Sequence, residues 1–184
     1  PIKWHLAHTT WFFERFILQE HAQGYTPYRE TYDYLFNSYY NTVGPQHCRP
    51  NRGLLSRPTV AEVFEYRREI DNRLNAFVQK ADDETRLAIN LLIHIGTHHE
   101  QQHQELIVTD IKHAFSTNPL LPAFRQSQHD KHQSKTRDTQ VPDHRWQAFE
   151  EGIYEIGCDV PTGVGGWAYD NETPRHRVFL EPFE

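Results

Sequence analysis

The chain has 184 residues, a formal net charge of −6, 37% hydrophobic and 13% aromatic residues. It is long enough for one domain or one plus part of another, and its core must draw on bulky aromatics. Its 19 basic residues are dispersed without a run or stripe, which excludes the electrostatic footprint of a nucleic-acid binder. No apolar run approaches the ~20 residues of a membrane span, and the N-terminus has no basic-then-apolar signal pattern; Pro1 opens abruptly before a helical pattern, so the true start is expected upstream. Cys48 and Cys158 stand far apart without C-x-x-C spacing, which argues against a disulfide framework or zinc ribbon and fits a reducing cytoplasm. The 13 histidines are about three times average usage and raise the prior for metal or proton chemistry.

Residues 2–22 read as the first helix, with Trp4, His8, Trp11, Phe12 and Arg15 within about a quarter of the wheel. His8 shares that face with aromatics, and His5 lies about a turn earlier. Residues 28–40 (YRETYDYLFNSYY) read as a short aromatic helix ended by Asn41 and Gly44-Pro45. Residues 42–58 carry Pro45, Pro50, Gly53 and Pro58 and are expected to form an irregular loop presenting Arg49 and Arg52 close together. Two such guanidinium groups can clamp a carboxylate; the plainer reading is two solvated arginines.

Thr59 with Glu62 three residues on is a capping box opening a helix to about Ala81, whose buried face is expected to comprise Val60, Val63, Phe64, Ile70, Leu74, Phe77 and Val78. Asp82-Asp83-Glu84 then opens a long helix over residues 83–115, expected to run antiparallel to its predecessor. Together these segments predict a four-helix bundle.

Within the long helix, His99 and His103 are four apart and fall one turn above each other. The same narrow stripe holds Leu92, Ile95, Leu106 and Asp110, so the pair is expected to face partner helices. Two inward imidazoles are either core histidines satisfied by carboxylates, Asp110 being nearest, or two ligands of one metal. The spacing favours the metal, and a third ligand from another helix is then needed. His8 and His5 are the rivals for that place.

Residues 118–145 are polar, with three prolines and no period, and read as a linker; His129 and His132 within it are given no role. From Trp146 the pattern alternates. A strand around residues 149–157, a glycine-rich loop at residues 162–166 and a strand over residues 175–180 are expected. The loop has neither the lysine of a P-loop nor G-x-G-x-x-G spacing, so phosphate binding is unsupported. Two strands bury too little for an independent core, and the chain is expected to stop inside its second domain.

Three motifs, Trp4-His5-Leu6-Ala7-His8-Thr9-Thr10, His99-Glu100-Gln101-Gln102-His103-Gln104-Glu105 and Ala168-Tyr169-Asp170-Asn171-Glu172-Thr173-Pro174-Arg175-His176, in this order and over nearly the whole chain, resemble the sulfoxide synthases of ergothioneine biosynthesis. The resemblance implies a mainly α fold: a DinB-like four-helix bundle over residues 1–117, the linker, and over residues 146–184 the beginning of a β-containing α+β domain similar to the formylglycine-generating enzyme. It further implies an oxidoreductase with non-heme iron(II) held by His8, His99 and His103. Gln102 is implied to help hold substrate, and Arg49 and Arg52 to meet the carboxylates of the thiol. The implied reaction joins hercynine (trimethylhistidine) to cysteine or γ-glutamylcysteine with O2; a selenoneine branch uses a selenium donor instead.

In that family the catalytic tyrosine and much of the pocket lie beyond the opening strands of the second domain. Tyr154 and Tyr169 sit in no motif that licenses the role, so the catalytic group is unassigned, and residues 1–184 alone are expected to bind metal without normal turnover. Two other readings use the same features: a DinB-type metal-dependent thiol transferase or hydrolase, and a His-rich binding or structural bundle without catalysis.

Overall fold

The chemistry of Thr59 is realised as its sequence context demands. In the computed structural model, which describes residues 2–125, 143–159 and 168–184, its hydroxyl accepts from the Glu62 backbone N–H at 3.2 Å, while a Glu62 carboxylate oxygen accepts from the Thr59 backbone at 2.7 Å. This reciprocal cap opens a helix at Val60–Lys80 (α4 below), and Asp82 accepts from the Thr85 backbone to cap the next, Asp83–Thr117 (α5). Only Ala81 and Asp82 separate the two.

The first helix, Ile2–Phe13 (α1), continues through one π-helical segment, Glu14–Leu18, into Gln19–His21 (α2). A short helix, Thr31–Phe36 (α3), follows. The chain is thus mainly helical with one small antiparallel sheet, and its contacts divide it into a helical unit, Pro1–Phe124, and a second unit, Arg125–Glu184.

The helix enclosed by its neighbours is α1, not the long α5. It packs on α3, α4 and α5, which is why His5, Ala7, His8, Thr9, Thr10, Trp11 and Phe12 are all buried in one 12-residue helix. On α4 the buried line is Val63, Tyr66 and Ile70, an i, i+3, i+7 pattern. Val60 and Phe64, expected inside, are 54% and 50% exposed; the contact face is centred on Tyr66, which the apolar pattern had passed over. On α5 only Ile89, Gly96, His99 and His103 are buried, whereas Leu92 and Ile95 are half-buried and Leu106 is exposed. The stripe predicted there is narrower in fact because one helix, α1, covers it.

Gly96 lies at that contact. A Cβ there would lie 2.5 Å from Cε1 of Phe13, so a side chain at this position would push the Phe13 ring aside.

Two expectations for the intervening segments need correction. The aromatic helix stops at Phe36 because Asn37, fully buried, competes with the helix. Its side-chain oxygen accepts from the Tyr40 backbone at 3.1 Å, and its amide donates to the carbonyls of Tyr40 at 3.0 Å and Gly44 at 3.3 Å. The loop over residues 42–58 contains a 3₁₀ helix, Arg49–Leu54, with Pro50 in its first turn, where a missing N–H costs nothing.

The second unit is a hairpin of Gly152–Ile156 (β1) against His176–Leu180 (β2), in a register pairing Gly152 with Leu180 and Ile156 with His176. Phe149 and Phe183 extend it by an isolated bridge, with their rings stacked at 4.9 Å. Ile153, Phe179 and Trp146 are largely exposed, so this hairpin has little burial of its own to hold it. His129, His132 and the glycine-rich loop at residues 162–166 lie outside the described residues. Among the described residues, no helix is long and apolar enough to cross a membrane.

Candidate metal centre

One turn of α5 places His99 and His103 facing α1, and α1 sets His8 against both. Their ring centroids lie 4.8 Å (His8–His99), 4.8 Å (His8–His103) and 4.6 Å (His99–His103) apart. One nitrogen from each ring lies within 4.8 Å of the others. A common point therefore lies within about 2.8 Å of all three, against ~2.0–2.1 Å for a histidine–metal bond. Less than an ångström of side-chain adjustment separates the cluster from coordination geometry.

The protonation states suit the task. Burial, then the neighbouring His99, pushes the His8 imidazole down to about 2, although the Phe36 carbonyl opposes it. Burial likewise brings His99 to about 4 against the pull of Glu100, and burial followed by His99 and His5 brings His103 to about 3. All three are neutral at physiological pH, the form that ligates.

The tautomer of His8 is set by the end of α3. Its Nδ1 lies 2.5 Å from the Phe36 carbonyl, which can only accept, so Nδ1 carries the proton and Nε2 the lone pair. That carbonyl is free because Asn37 has taken the Tyr40 N–H that a continuing helix would have sent to it. His99 Nδ1 is buried and has no hydrogen-bond partner. A polar atom left so costs about 1–3 kcal/mol. Three neutral imidazoles, one with an orphaned nitrogen, fit a borderline divalent cation such as iron(II), nickel(II) or zinc(II).

His5 is placed differently from its rival. Its Nδ1 lies 2.8 Å from His103 Nδ1 and its Nε2 lies 2.9 Å from an Asp110 carboxylate oxygen, so neither ring nitrogen remains for a metal. Asp110, expected as the direct partner of the buried pair, reaches His103 only through His5.

The cluster opens into a cavity of about 860 Å³ whose lining includes Arg49, Arg52 and Gln102 as well as the histidines. Arg52 lies 3.9 Å over the Trp4 ring, which in turn stacks on His8 at 4.7 Å. It also donates to Ser38 Oγ at 3.3 Å and to the Asn37 carbonyl at 3.4 Å, yet its Nε is buried without a partner. Burial, then Arg49, lowers its pKa. Arg49 donates to the Tyr39 hydroxyl. Lys3 and Arg57 add further positive charge to the lining, and among the described residues Asp110 is its one carboxylate, so the cavity suits an anion. The sequence reading missed the His5–Asp110 pair and the Trp4 platform; the recurrence of Trp4 one turn before His8 was the available signal.

No family model matches the chain, and no curated protein matches it.

Proposed function

We propose that the chain is the metal-binding part of an iron(II)- and O2-dependent sulfoxide synthase, with a DinB-like helical unit followed by part of a domain similar to the formylglycine-generating enzyme, working in the cytoplasm. The single observation that carries the reading is the meeting of His8, His99 and His103 on the wall of a cationic cavity. The three motifs quoted above support the choice of chemistry.

In this reading His8, His99 and His103 would hold iron(II), which when bound would supply redox chemistry with O2 and lower the pKa of a thiol. Arg49 and Arg52 receive the carboxylates of the thiol, cysteine or γ-glutamylcysteine, or of a selenium donor in the related selenoneine chemistry. Gln102 hydrogen-bonds substrate, and Trp4 holds the Arg52 guanidinium in place. The overall change joins the hercynine ring carbon to sulfur. The ring C–H and the S–H are lost, one oxygen atom of O2 goes to the sulfoxide and the other leaves as water.

The test is an anaerobic iron(II) titration of the full-length protein, followed by hercynine, a thiol and O2. One iron per chain, oxygen uptake and a sulfoxide product are expected. Hydrolysis or thiol transfer without oxygen uptake would replace this reading with a DinB-type hydrolase or transferase, and metal uptake with neither activity would leave a binding module.

A further inference from the structure

His103 and His5 face each other through the same kind of atom. Both Nδ1 atoms cannot donate, and both cannot accept, at the observed 2.8 Å. The direction of that hydrogen bond is decided one step farther out. Asp110 presents a carboxylate oxygen to His5 Nε2 at 2.9 Å, and a carboxylate only accepts, so a neutral His5 carries its proton on Nε2 and is bare at Nδ1. A bare His5 Nδ1 requires a proton on His103 Nδ1. The lone pair of His103 then falls on Nε2, the nitrogen left for a metal. In the opposite direction a neutral His5 would turn its lone pair on Asp110, and His103 would carry its proton on the atom that has to ligate.

We infer that His5 and Asp110 are a positioning pair that locks His103 in the Nδ1–H tautomer and so prepares Nε2 as a metal ligand. The inference rests on the three-imidazole centre proposed above and adds the groups that orient one of its members. The design parallels His8, where the Phe36 carbonyl does the same directly at 2.5 Å. Outer partners of this kind set ring orientation and ligand basicity. The pair also spans the depth of the site: the His5 side chain is 10% exposed and that of Asp110 42%, so a buried ligand is oriented from a carboxylate at the solvent edge. Because Asp110 is partly exposed on α5, its replacement leaves the core packing of α1 in place.

The experiment has two readouts. Long-range ¹⁵N–¹H correlation spectra of the histidine-labelled, metal-free protein identify the tautomer of His103, and cobalt(II) titration followed by visible absorption gives metal affinity. Wild type is expected to show the Nδ1–H form. Asp110→Leu is expected to admit the Nε2–H form and to weaken cobalt binding about 10- to 100-fold. Asp110→Asn, whose side-chain oxygen still accepts, is expected to restore affinity to within about three-fold of wild type. A merely structural Asp110 would change the melting temperature without moving the tautomer. A wild-type His103 protonated at Nε2, or an Asp110→Leu variant with unchanged tautomer and affinity, overturns the inference. If wild type binds no cobalt, the metal-centre reading falls, while the tautomer spectra of wild type and Asp110→Leu still decide the role of the pair.

Discussion

Two polar groups are buried six residues apart on the first helical run, His8 at 2% exposure and Glu14 at 1%, and the contrast between their surroundings separates a site from a strut. Around Glu14 both carboxylate oxygens are occupied. One accepts from the Tyr25 hydroxyl at 2.8 Å and the Tyr28 backbone at 2.6 Å, and the other from the Tyr66 hydroxyl at 2.5 Å. Burial, reinforced by the Glu14 carboxylate, pushes the Tyr66 and Tyr25 hydroxyls above the usual phenol range, so they stay protonated and donate. Around His8 the donors and acceptors do not balance: three imidazoles converge, His99 Nδ1 has no partner, and a cavity adjoins them. Buried polar groups are normally satisfied. A closed network ties helices together, whereas an open one of neutral nitrogens is fitted to receive something.

The largest effect expected from this contrast is on metal uptake. His99→Ala or His103→Ala should take iron(II) or cobalt(II) binding from one ion per chain to none measurable, a loss beyond the ~10- to 100-fold of an outer-shell change. Glu14→Gln should still bind one. Equilibrium titration with metal analysis of the gel-filtered protein checks both.

Stability should divide the other way. Glu14→Leu leaves the Tyr25 and Tyr66 hydroxyls and the Tyr28 N–H without their acceptor, at about 1–3 kcal/mol each when buried; a total loss of roughly 3–5 kcal/mol is expected in urea melts. His99→Leu removes an imidazole with an orphaned nitrogen and should cost the metal-free protein much less, within about 1 kcal/mol either way. A larger loss on the histidine side would erase the distinction drawn here.

Acid should act through the histidines. Their folded-state values, about 4 for His99, about 3 for His103 and about 2 for His8, lie below the ~6.5 of an unfolded chain. The unfolded state therefore takes up protons first as pH falls. Stability contributed by these neutral rings is complete above about pH 6.5 and declines from there toward pH 4 and below. Urea midpoints of the metal-free protein should fall between about pH 7.5 and 5, and His99→Leu should flatten that slope.

The smallest effect expected is local. Thr59→Ala removes one cap of α4 and should cost about 1 kcal/mol while leaving metal stoichiometry at wild-type level. A change in stoichiometry would mean that the centre is coupled to α4 more tightly than its ligands on α1 and α5 imply.

Much of this architecture was legible because its signals are local. The Thr59–Glu62 box and the Asp82 cap mark helix starts through atoms no more than a turn apart. The four-residue spacing of His99 and His103 places them on one face of any helix that contains them. The alternation after Trp146 announces strands because side chains of a strand point to opposite sides in turn. Apolar content alone misplaces the contact face of α4: it omits the buried Tyr66 and includes Val60 and Phe64, which are half exposed. The aromatic pattern runs past the end of α3 at Phe36 because the competing bonds of Asn37 to Tyr40 and Gly44 depend on how the loop folds back.

What the sequence determined by itself was which side chains each helix displays and the presence of metal-type donors at ligand spacing. Only the tertiary structure decided that His8 joins the pair on α5 while His5 turns to Asp110, that α1 is the enclosed helix, and that the Phe36 carbonyl is free for His8. Spacing along a helix fixes direction to within a face. The meeting of atoms 91 and 95 residues apart is set by the close approach of two helices, where the Phe13 ring packs over Gly96.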